Sequence, residues 1–428
     1  MNSRLKTVAT LSALFGALVL IGTTQAGGPA VPTFTKDVAP ILHRNCASCH
    51  RPGDIAPMSL LTYENARPWA KSIREKVATG EMPPWHATQP HGTFSNDRRL
   101  SEQDKATLIR WADNGAPKGD PKDLPPPPTF AEGWEIGKPD VVLSMPREYS
   151  VPADGTINYQ FFEVPTNFTE DKWVQAIEVR PGAREVVHHI LVFCREPGAA
   201  RPMSFDQVVP KLPLRGREQA VGALIATTAP GTNAIIFKPG TALQIRKGAV
   251  LTFQMHYTTN GTAAKDRSSL GIIFAKQAPQ LEMRSSAFVN PMFEIPAGAA
   301  NYAVPSAIEF SADSHIWALI PHTHLRGKSW EYKLTYPDGR SEIVLSVPKY
   351  DFNWQTQYLF AKPLAAPKGS RLEANAHYDN STANLWNPDP KVAVRWGAQT
   401  WEEMQYTGIT YSIDEKVSPS NPASARSR

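Results

Sequence analysis

The chain has 428 residues, of which 45 are lysine or arginine and 40 are aspartate or glutamate, giving a formal net charge of +5. For a chain of this length, that charge is too small to indicate a nucleic-acid-binding surface. The length exceeds what one ordinary hydrophobic core needs, so we expect several domains. The 39 prolines and 27 glycines, together with many short runs of β-branched and aromatic residues, favour β-sandwiches for most of the chain.

The first 26 residues have the order of a secretory signal. Arg4 and Lys6 are followed by an apolar run from Leu11 to Ile21 and then by small residues ending at Ala26. The apolar run is short for a membrane span, so we expect cleavage after Ala26, with an uncleaved anchor as the alternative. No later stretch of the sequence predicts a membrane span. We therefore predict a periplasmic or secreted protein.

The segment Cys46-Ala47-Ser48-Cys49-His50 is the attachment signature of a c-type haem. In such a site the thiols of Cys46 and Cys49 add to the haem vinyl groups, and His50 becomes an axial iron ligand. The alternative is a redox CxxC beside an incidental histidine. Cys194 is the only other cysteine, so we expect no intrachain disulfide. We interpret Cys194 as a buried thiol, with metal association as the alternative.

Helical patterns surround this motif. We expect a first helix capped by Thr35, a second over residues 63–78, and a third that Ser101 opens and Asn114-Gly115 ends. This order of elements in residues 27–123 resembles a small, all-α class I cytochrome c domain.

A domain of that kind usually takes a methionine sulfur as the second axial iron ligand. Met82 stands at the matching place, in Gly80-Glu81-Met82-Pro83-Pro84-Trp85, where two prolines stiffen the loop. Met58, His86 and His91 are alternative ligands, and Met82 acting only as a core residue is a further alternative. The proline run at 125–128 then predicts a stiff linker over residues 124–132.

Seven of the eleven histidines lie beyond this linker. His188 and His189 are adjacent within an apolar strand pattern, and His256 lies in another. His322 and His324 are two apart in a third; since residues i and i+2 of a strand share a face, these two can share one metal ion. With Met404, the five histidines favour copper over zinc, because copper accepts imidazole and, as Cu(I), thioether. Satisfied core histidines are the alternative.

These motifs occur in the order found in the copper type II, ascorbate-dependent monooxygenases, which residues 133–412 resemble. That family includes peptidylglycine alpha-hydroxylating monooxygenase and dopamine beta-monooxygenase. The resemblance is carried by His188-His189-Ile190-Leu191-Val192-Phe193, Met255-His256-Tyr257, Asp266-Arg267-Ser268-Ser269-Leu270-Gly271-Ile272, His322-Thr323-His324-Leu325-Arg326-Gly327-Lys328 and Glu402-Glu403-Met404.

The resemblance implies two all-β jelly-roll sandwiches, residues 133–295 and 296–415, with one copper each, facing across a solvent-filled cleft. It implies that His188, His189 and His256 bind an electron-transfer copper. It further implies that His322, His324 and Met404 bind an oxygen-activating copper. A disordered tail, residues 416–428, follows.

The resulting expectation is a multidomain enzyme that uses O₂ to hydroxylate a small organic substrate. The haem domain delivers electrons to the coppers, and ascorbate, another small reductant or a periplasmic donor is a further electron source. The alternative is an electron-transfer or copper-binding protein that has lost hydroxylation.

Several positions depart from the family or remain open. Ile320 replaces an arginine of the peptide-hydroxylating member, and Tyr406 and Gly408 replace its asparagine and tyrosine, which argues against a glycine-extended peptide as substrate. We interpret His315 and His377 as core histidines, the alternative for His377 being a place near the metal. The pair Glu402-Glu403 either orients a ligand imidazole or lies on the surface.

Overall fold

The computed structural model describes residues 30–54, 56–130, 133–198, 223–229, 232 and 234–415. The predicted signal and the predicted tail lie outside these residues. The structure is mostly β-sheet, and the described helices all lie between residues 34 and 123. Within the described part of the chain, no helix has the length and apolar character needed to cross a membrane.

The helical segment, residues 34–123, has four α-helices and three short helical turns. A π-helical turn runs directly into α1, and a 3₁₀ turn joins α2 to α3, so that these two helices occupy the predicted helix 63–78. In order, the elements are the turn Phe34–Val38, α1 Ala39–Asn45, α2 Tyr63–Ala66, the turn Arg67–Trp69, α3 Ala70–Thr79, α4 Glu102–Asp113 and the turn Pro121–Asp123.

The helix starts are only partly as predicted. The Ser101 hydroxyl accepts the Asp104 backbone N–H at 3.0 Å and caps α4, as expected. The prediction for Thr35 is wrong, because its side chain makes no cap. Instead, Asp37 Oδ2 accepts the Thr33 N–H at 2.8 Å at the start of the first turn. The helices enclose a core that includes Leu42 and Trp111, both fully buried.

The first sandwich packs a sheet of order β3-β9-β5-β6 on a layer of order β1-β11-β4-β8. Their shared core includes Ile177, Ile190 and Phe253, which are almost completely buried. Its strands are β1 Val141–Ser144, β2 Tyr149–Val151, β3 Gln160–Pro165, β4 Lys172–Arg180, β5 Val187–Arg195, β6 Ala223–Thr228, β7 Ile235–Ile236, β8 Thr241–Ile245, β9 Val250–Tyr257, β10 Ala264–Asp266 and β11 Ser269–Phe274.

The second sandwich packs a sheet of order β14-β19-β16-β17 on a layer of order β12-β21-β15-β18. Trp330 and Tyr332 of β16 are buried in its core. Its strands are β12 Leu281–Val289, β13 Glu294–Ile295, β14 Tyr302–Glu309, β15 Ser314–His322, β16 Gly327–Thr335, β17 Ser341–Val347, β18 Tyr358–Ala366, β19 Arg371–Tyr378, β20 Val394–Arg395 and β21 Tyr406–Ile413.

The two sandwiches share a sheet. Strand β8 pairs in parallel with β12, so the layers β1-β11-β4-β8 and β12-β21-β15-β18 join, with β7, into one nine-stranded sheet. Phe288 and Ile295 lie in the core of the second sandwich. Strand β12 therefore pairs with both sandwiches, and residues 288–295, which the predicted boundary at 295 assigns to the first sandwich, pack in the second.

A loop of the helical segment, residues 85–96, packs into the second sandwich. Trp85 and Phe94 are buried in that sandwich's core, and the Phe94 ring lies 5.5 Å from the Tyr358 ring. Backbone bonds hold the loop on both sides: Thr88 N–H donates to Ser346 O at 3.0 Å, and Ser95 N–H donates to Leu359 O at 2.8 Å. The helical segment is thus held by this loop as well as by the predicted linker.

Truncating Phe94 should therefore weaken the whole second sandwich. We expect Phe94→Ala to lower the free energy of unfolding by about 3–5 kcal/mol, the usual cost of emptying a buried aromatic site. Denaturant unfolding followed by tryptophan fluorescence would measure this loss. Phe161→Ala is the matched control, because Phe161 is 49% exposed and its truncation should change stability by about 0.5 kcal/mol or less. Equal losses in the two variants would contradict the packing assigned to loop 85–96.

Candidate functional site

A cavity of about 1040 Å³ lies between the helical segment and the first sandwich. Cys46, Cys49, His50 and Met82 line one side of it, and residues of the first sandwich, including His188, line another. Ligand pockets commonly measure about 300–1,000 Å³, so the cavity is large enough for a bulky organic cofactor. The structure thus brings all four predicted haem residues together on one cavity.

The CxxCH motif brings two free thiols and one imidazole to the cavity. Cys46 and Cys49 are thiols rather than a disulfide, and burial, followed by the neighbouring Cys49, raises the pKa of Cys46 to about 12. His50 Nδ1 lies 3.3 Å from the Met58 carbonyl oxygen, to which it can donate. That bond leaves His50 Nε2 as the lone-pair nitrogen, which is how a protein usually fixes a metal-ligating imidazole.

Among the four candidates for the second axial ligand, Met82 alone lines this cavity. The Met58 side chain packs against the helical core instead. His86 and His91 belong to the loop that packs on the second sandwich, and burial lowers the pKa of His86. This placement supports Met82 over its three rivals.

A bulge in β5 explains how His188 and His189 reach the same place. Neighbouring side chains of a regular strand point to opposite faces. Here Val187 pairs with Tyr257 and His189 with His256, so His188 is an extra residue on its strand. A bulge of this kind re-aims a side chain. As a result, the adjacent His188 and His189 and the cross-strand His256 converge.

The three imidazoles form a group with the dimensions of a metal site. His189 Nδ1 lies 3.1 Å from His188 Nδ1 and 3.4 Å from His256 Nδ1. With metal–nitrogen bonds of about 2.0–2.1 Å, two tetrahedral ligands stand about 3.3 Å apart. The potential ligand atoms of all three residues lie within 4.8 Å of one another. The donor set therefore fits one copper or zinc ion.

Burial keeps these imidazoles neutral, which is the state that binds metal. Burial is the main cause of a lowered pKa in all three, and it lowers the pKa of His256 to about 3. The pKa of His189 falls well below its usual value, with His256 and His188 as further causes. Tyr159 packs edge-on against His256 at 4.9 Å, and its buried hydroxyl makes no hydrogen bond.

The second histidine pair lies at the end of β15. The prediction that one strand holds both His322 and His324 is wrong for His324, because β15 ends at His322 and His324 stands in the following turn. The two rings nevertheless lie 5.3 Å apart. His322 Nδ1 lies 2.9 Å from Gln355 Oε1, and His324 Nδ1 lies 3.2 Å from the Glu402 carbonyl oxygen.

These bonds leave the Nε2 atoms of the pair to bind other groups. His324 is 1% exposed, and its Nε2 is buried without a hydrogen-bond partner. A buried, unsatisfied nitrogen on a neutral ring is costly unless a ligand engages it. Burial lowers the pKa of His322 to about 4, so this ring is also neutral at physiological pH. The pair therefore fits a metal ion bound through Nε2.

Met404 lies beside this pair. In the β15–β21 pairing, His322 stands opposite Tyr406, which lies two residues after Met404. Glu403 fixes this arrangement: its Oε2 accepts the backbone N–H groups of His324 at 2.9 Å and of Met404 at 3.2 Å. Met404 is 6% exposed and packs against Tyr406.

Glu403 answers the question left open by the sequence. It is fully buried, and burial raises its pKa to about 7, while backbone donors at Arg326 and His324 oppose that rise. Its carboxylate accepts the backbone N–H groups of His324, Arg326 and Met404, whereas the Glu402 backbone carbonyl lies 3.2 Å from Nδ1 of the His324 ring. Glu402 and Glu403 thus both help to position His324, the first through its backbone and the second through its side chain. The sequence does not show which of these atoms is used.

The segment Phe352–Gln355 separates the two histidine groups. The Phe352 ring stacks on His188 at 5.8 Å and contacts His324 at 6.1 Å. Gln355 is 6% exposed and bonds His322. The structure therefore has a half-buried phenylalanine and a buried glutamine between the histidine groups, where the family resemblance implies a solvent-filled cleft. No motif in the sequence marks these residues.

The remaining candidates have ordinary partners. Cys194 is buried in the core of the first sandwich, as interpreted from the sequence. His315 pairs with Asp414 at 2.7 Å near the surface, rather than lying in a core. His377 Nδ1 lies 3.1 Å from Asn301 Oδ1. We assign none of the three to a site.

No family model and no curated protein matches this chain. Solved structures with some similarity include the major capsid protein P2 of bacteriophage PM2, with 10% identity and a TM-score of 0.28, covering 64% of this chain and 100% of that one. Another is the infectious bursal disease virus Gt strain, with 9% identity and a TM-score of 0.19, covering 64% and 70%. A putative secreted protein from Eubacterium rectale has 7% identity and a TM-score of 0.19, covering 60% and 69%. Similarities this low carry no argument about function.

Proposed function

We propose that this protein is an exported haem–copper oxidoreductase. Residues 27–123 would be a cytochrome c domain, and the two sandwiches would be jelly rolls that form an O₂-dependent copper monooxygenase. Hydroxylating a C–H bond with O₂ requires two electrons and two protons and gives an alcohol and water. The haem, a one-electron carrier, would supply the electrons, with ascorbate or another small reductant as a further donor.

The observation that carries this proposal is the double position of His188. It lines the cavity that holds Cys46, Cys49, His50 and Met82, and it also belongs to the three-histidine group. One side chain therefore stands between the proposed haem and the proposed first copper. This supports direct electron delivery within the chain, with no long path through solvent.

Each group of residues has a distinct part in this function. Cys46 and Cys49 would hold the haem covalently, with His50 and Met82 as axial ligands. His188, His189 and His256 would hold a copper in an all-imidazole site suited to storing one electron. His322 and His324 offer Nε2 atoms and Met404 a soft sulfur, a donor set that favours Cu(I), the state that reacts with O₂.

The side chains between the histidine groups favour a second candidate function. Gln355 and the half-buried Phe352 lie where the family resemblance implies a cleft, and His322 is only 8% exposed. This arrangement suits an electron-transfer or copper-binding protein without hydroxylase activity.

Oxygen uptake separates the two functions. The copper-loaded, haem-containing protein should be reduced and mixed with O₂ and a panel of small organic substrates. A monooxygenase consumes one O₂ per molecule of hydroxylated product and per two electrons. Rapid reoxidation with no substrate-dependent uptake and no hydroxylated product would favour the electron-transfer function and contradict hydroxylation.

Removing the sulfur of Met82 tests the haem assignment. We expect Met82→Ala to abolish the thioether-to-iron absorption band and to lower the reduction potential, because thioether ligation raises that potential. Met58→Ala is the matched control and should leave the band in place, since Met58 packs in the helical core. If the band persists in Met82→Ala, another residue is the axial ligand.

A further inference from the structure

The polar side chain of Gln355 lies within hydrogen-bond distance of both histidine groups. Gln355 stands in the loop between β17 and β18, with its Oε1 2.9 Å from His322 Nδ1 and its Nε2 3.5 Å from His189 Nδ1. We propose that Gln355 is a positioning residue that fixes the His322 ring for metal binding and couples the second metal site to the first. This inference rests on the proposed function, because it takes both groups as copper sites.

The amide oxygen determines the state of the His322 ring. A carbonyl oxygen only accepts hydrogen bonds, so the Nδ1 atom that faces it must carry the proton. The lone pair then lies on Nε2, the atom available to a metal. His324 Nδ1 likewise faces a carbonyl oxygen, that of Glu402, at 3.2 Å. Both rings of the second site are therefore fixed through Nδ1, one by backbone and one by Gln355.

The amide nitrogen faces the first site. This atom, Nε2, lies 3.5 Å from His189 Nδ1 and donates to the Phe352 carbonyl oxygen at 3.4 Å. His189 Nδ1 in turn lies 3.1 Å from His188 Nδ1 and 3.4 Å from His256 Nδ1. The positive end of the amide dipole thus lies beside the first metal position, where it favours Cu(I) over the more highly charged Cu(II).

Packing keeps the amide in this orientation. Gln355 is 6% exposed, so a loss of its hydrogen bonds would not be replaced readily by water. The Phe352 ring beside it contacts His188, His256 and His324. Both histidine groups therefore meet the same short segment, and a shift of Gln355 affects both.

Two substitutions distinguish the role of the Gln355 amide oxygen from that of its amide nitrogen. Gln355→Leu removes both ends, and we expect it to weaken copper binding at the second site by about 10–100-fold, the usual effect of losing a hydrogen bond to a ligand histidine. Gln355→Glu keeps an acceptor for His322 and should restore affinity to within a few-fold of wild type. It also places a negative charge beside His189, so the reduction potential of the first copper should fall.

Competition titration with a Cu(I) chelator would measure both affinities, and Cu(II) EPR with redox titration would assign the potential. Gln357→Leu is the matched control: it changes the same residue type two positions along, where the backbone carbonyl makes the bond to Asn96. Its affinities and potentials should equal those of wild type. The melting temperature of each metal-free variant checks its folding.

The inference is overturned if Gln355→Leu retains wild-type copper affinity at both sites, or if Gln355→Glu binds copper as weakly as Gln355→Leu. If Gln355→Leu does not fold, Gln355→Glu still decides, since an unchanged first-site potential contradicts the coupling. A wild-type protein that binds fewer than two coppers overturns the proposed function, and this inference with it. Failure of the variants in a two-copper protein overturns the inference alone.

Discussion

Replacing His189 with alanine is expected to abolish copper binding at the first site and to leave about one copper per chain. His189 is 1% exposed, and its Nδ1 lies within 3.4 Å of both other imidazole Nδ1 atoms. Its replacement therefore leaves only two of the three proposed donor nitrogens. The fall in affinity should exceed the ~10–100-fold that follows loss of an outer hydrogen bond. Copper analysis after dialysis would measure it.

The same variant tests the route of electrons. Without the first copper, haem reoxidation by O₂ in stopped-flow experiments should slow strongly. The copper that would accept the haem electron beside His188 is then missing. His315→Ala is the matched control, since His315 pairs with Asp414 near the surface and should retain two coppers. Two coppers in a folded His189→Ala protein would contradict the three-histidine site.

Replacing Met404 with isoleucine is expected to eliminate substrate-dependent oxygen consumption while leaving the first copper reducible by the haem. The substitution keeps the bulk of the side chain and removes the sulfur, and such volume-conserving core changes usually cost less than about 1.5 kcal/mol. The C–O stretch of carbon monoxide bound to the reduced protein should shift, because the proposed Cu(I) ligand has been lost. Oxygen-electrode and infrared measurements would record both effects.

Met283→Ile is the matched control for Met404, because Met283 is 2% exposed in β12 and is assigned to no site. It should keep both the C–O stretch and turnover. An unchanged stretch and unchanged turnover in Met404→Ile would show that the sulfur is not a ligand. The monooxygenase proposal would then lose the softer donor that distinguishes its second site.

Much of the site could be predicted from residue order. The CxxCH motif and Met82 can be recognised from local sequence, and the structure places them on one cavity. An adjacent pair of histidines in an apolar strand is exceptional, but strand alternation predicts that the rings of His188 and His189 point to opposite faces. Only the bulge, a feature of β5 pairing with β9, explains their convergence.

Long-range contacts account for what could not be predicted. Gln355 lies 166 positions from His189, and a glutamine in a loop carries no periodic signal. From sequence, Phe94 belongs to a loop with no sign of burial. In the structure it packs against Tyr358 in the core of the second sandwich. The parallel pairing of β8 with β12 likewise depends on how two sandwiches meet, which strand patterns alone do not specify.

The most direct test of the central claim is a metal and haem inventory of the full-length protein after export and copper loading. We predict one covalently bound haem, retained under denaturing conditions, and two coppers per chain, with an optical spectrum typical of histidine–methionine ligation. A protein with no covalent haem, or with fewer than two coppers at saturation, would contradict the assignment of a haem–copper oxidoreductase.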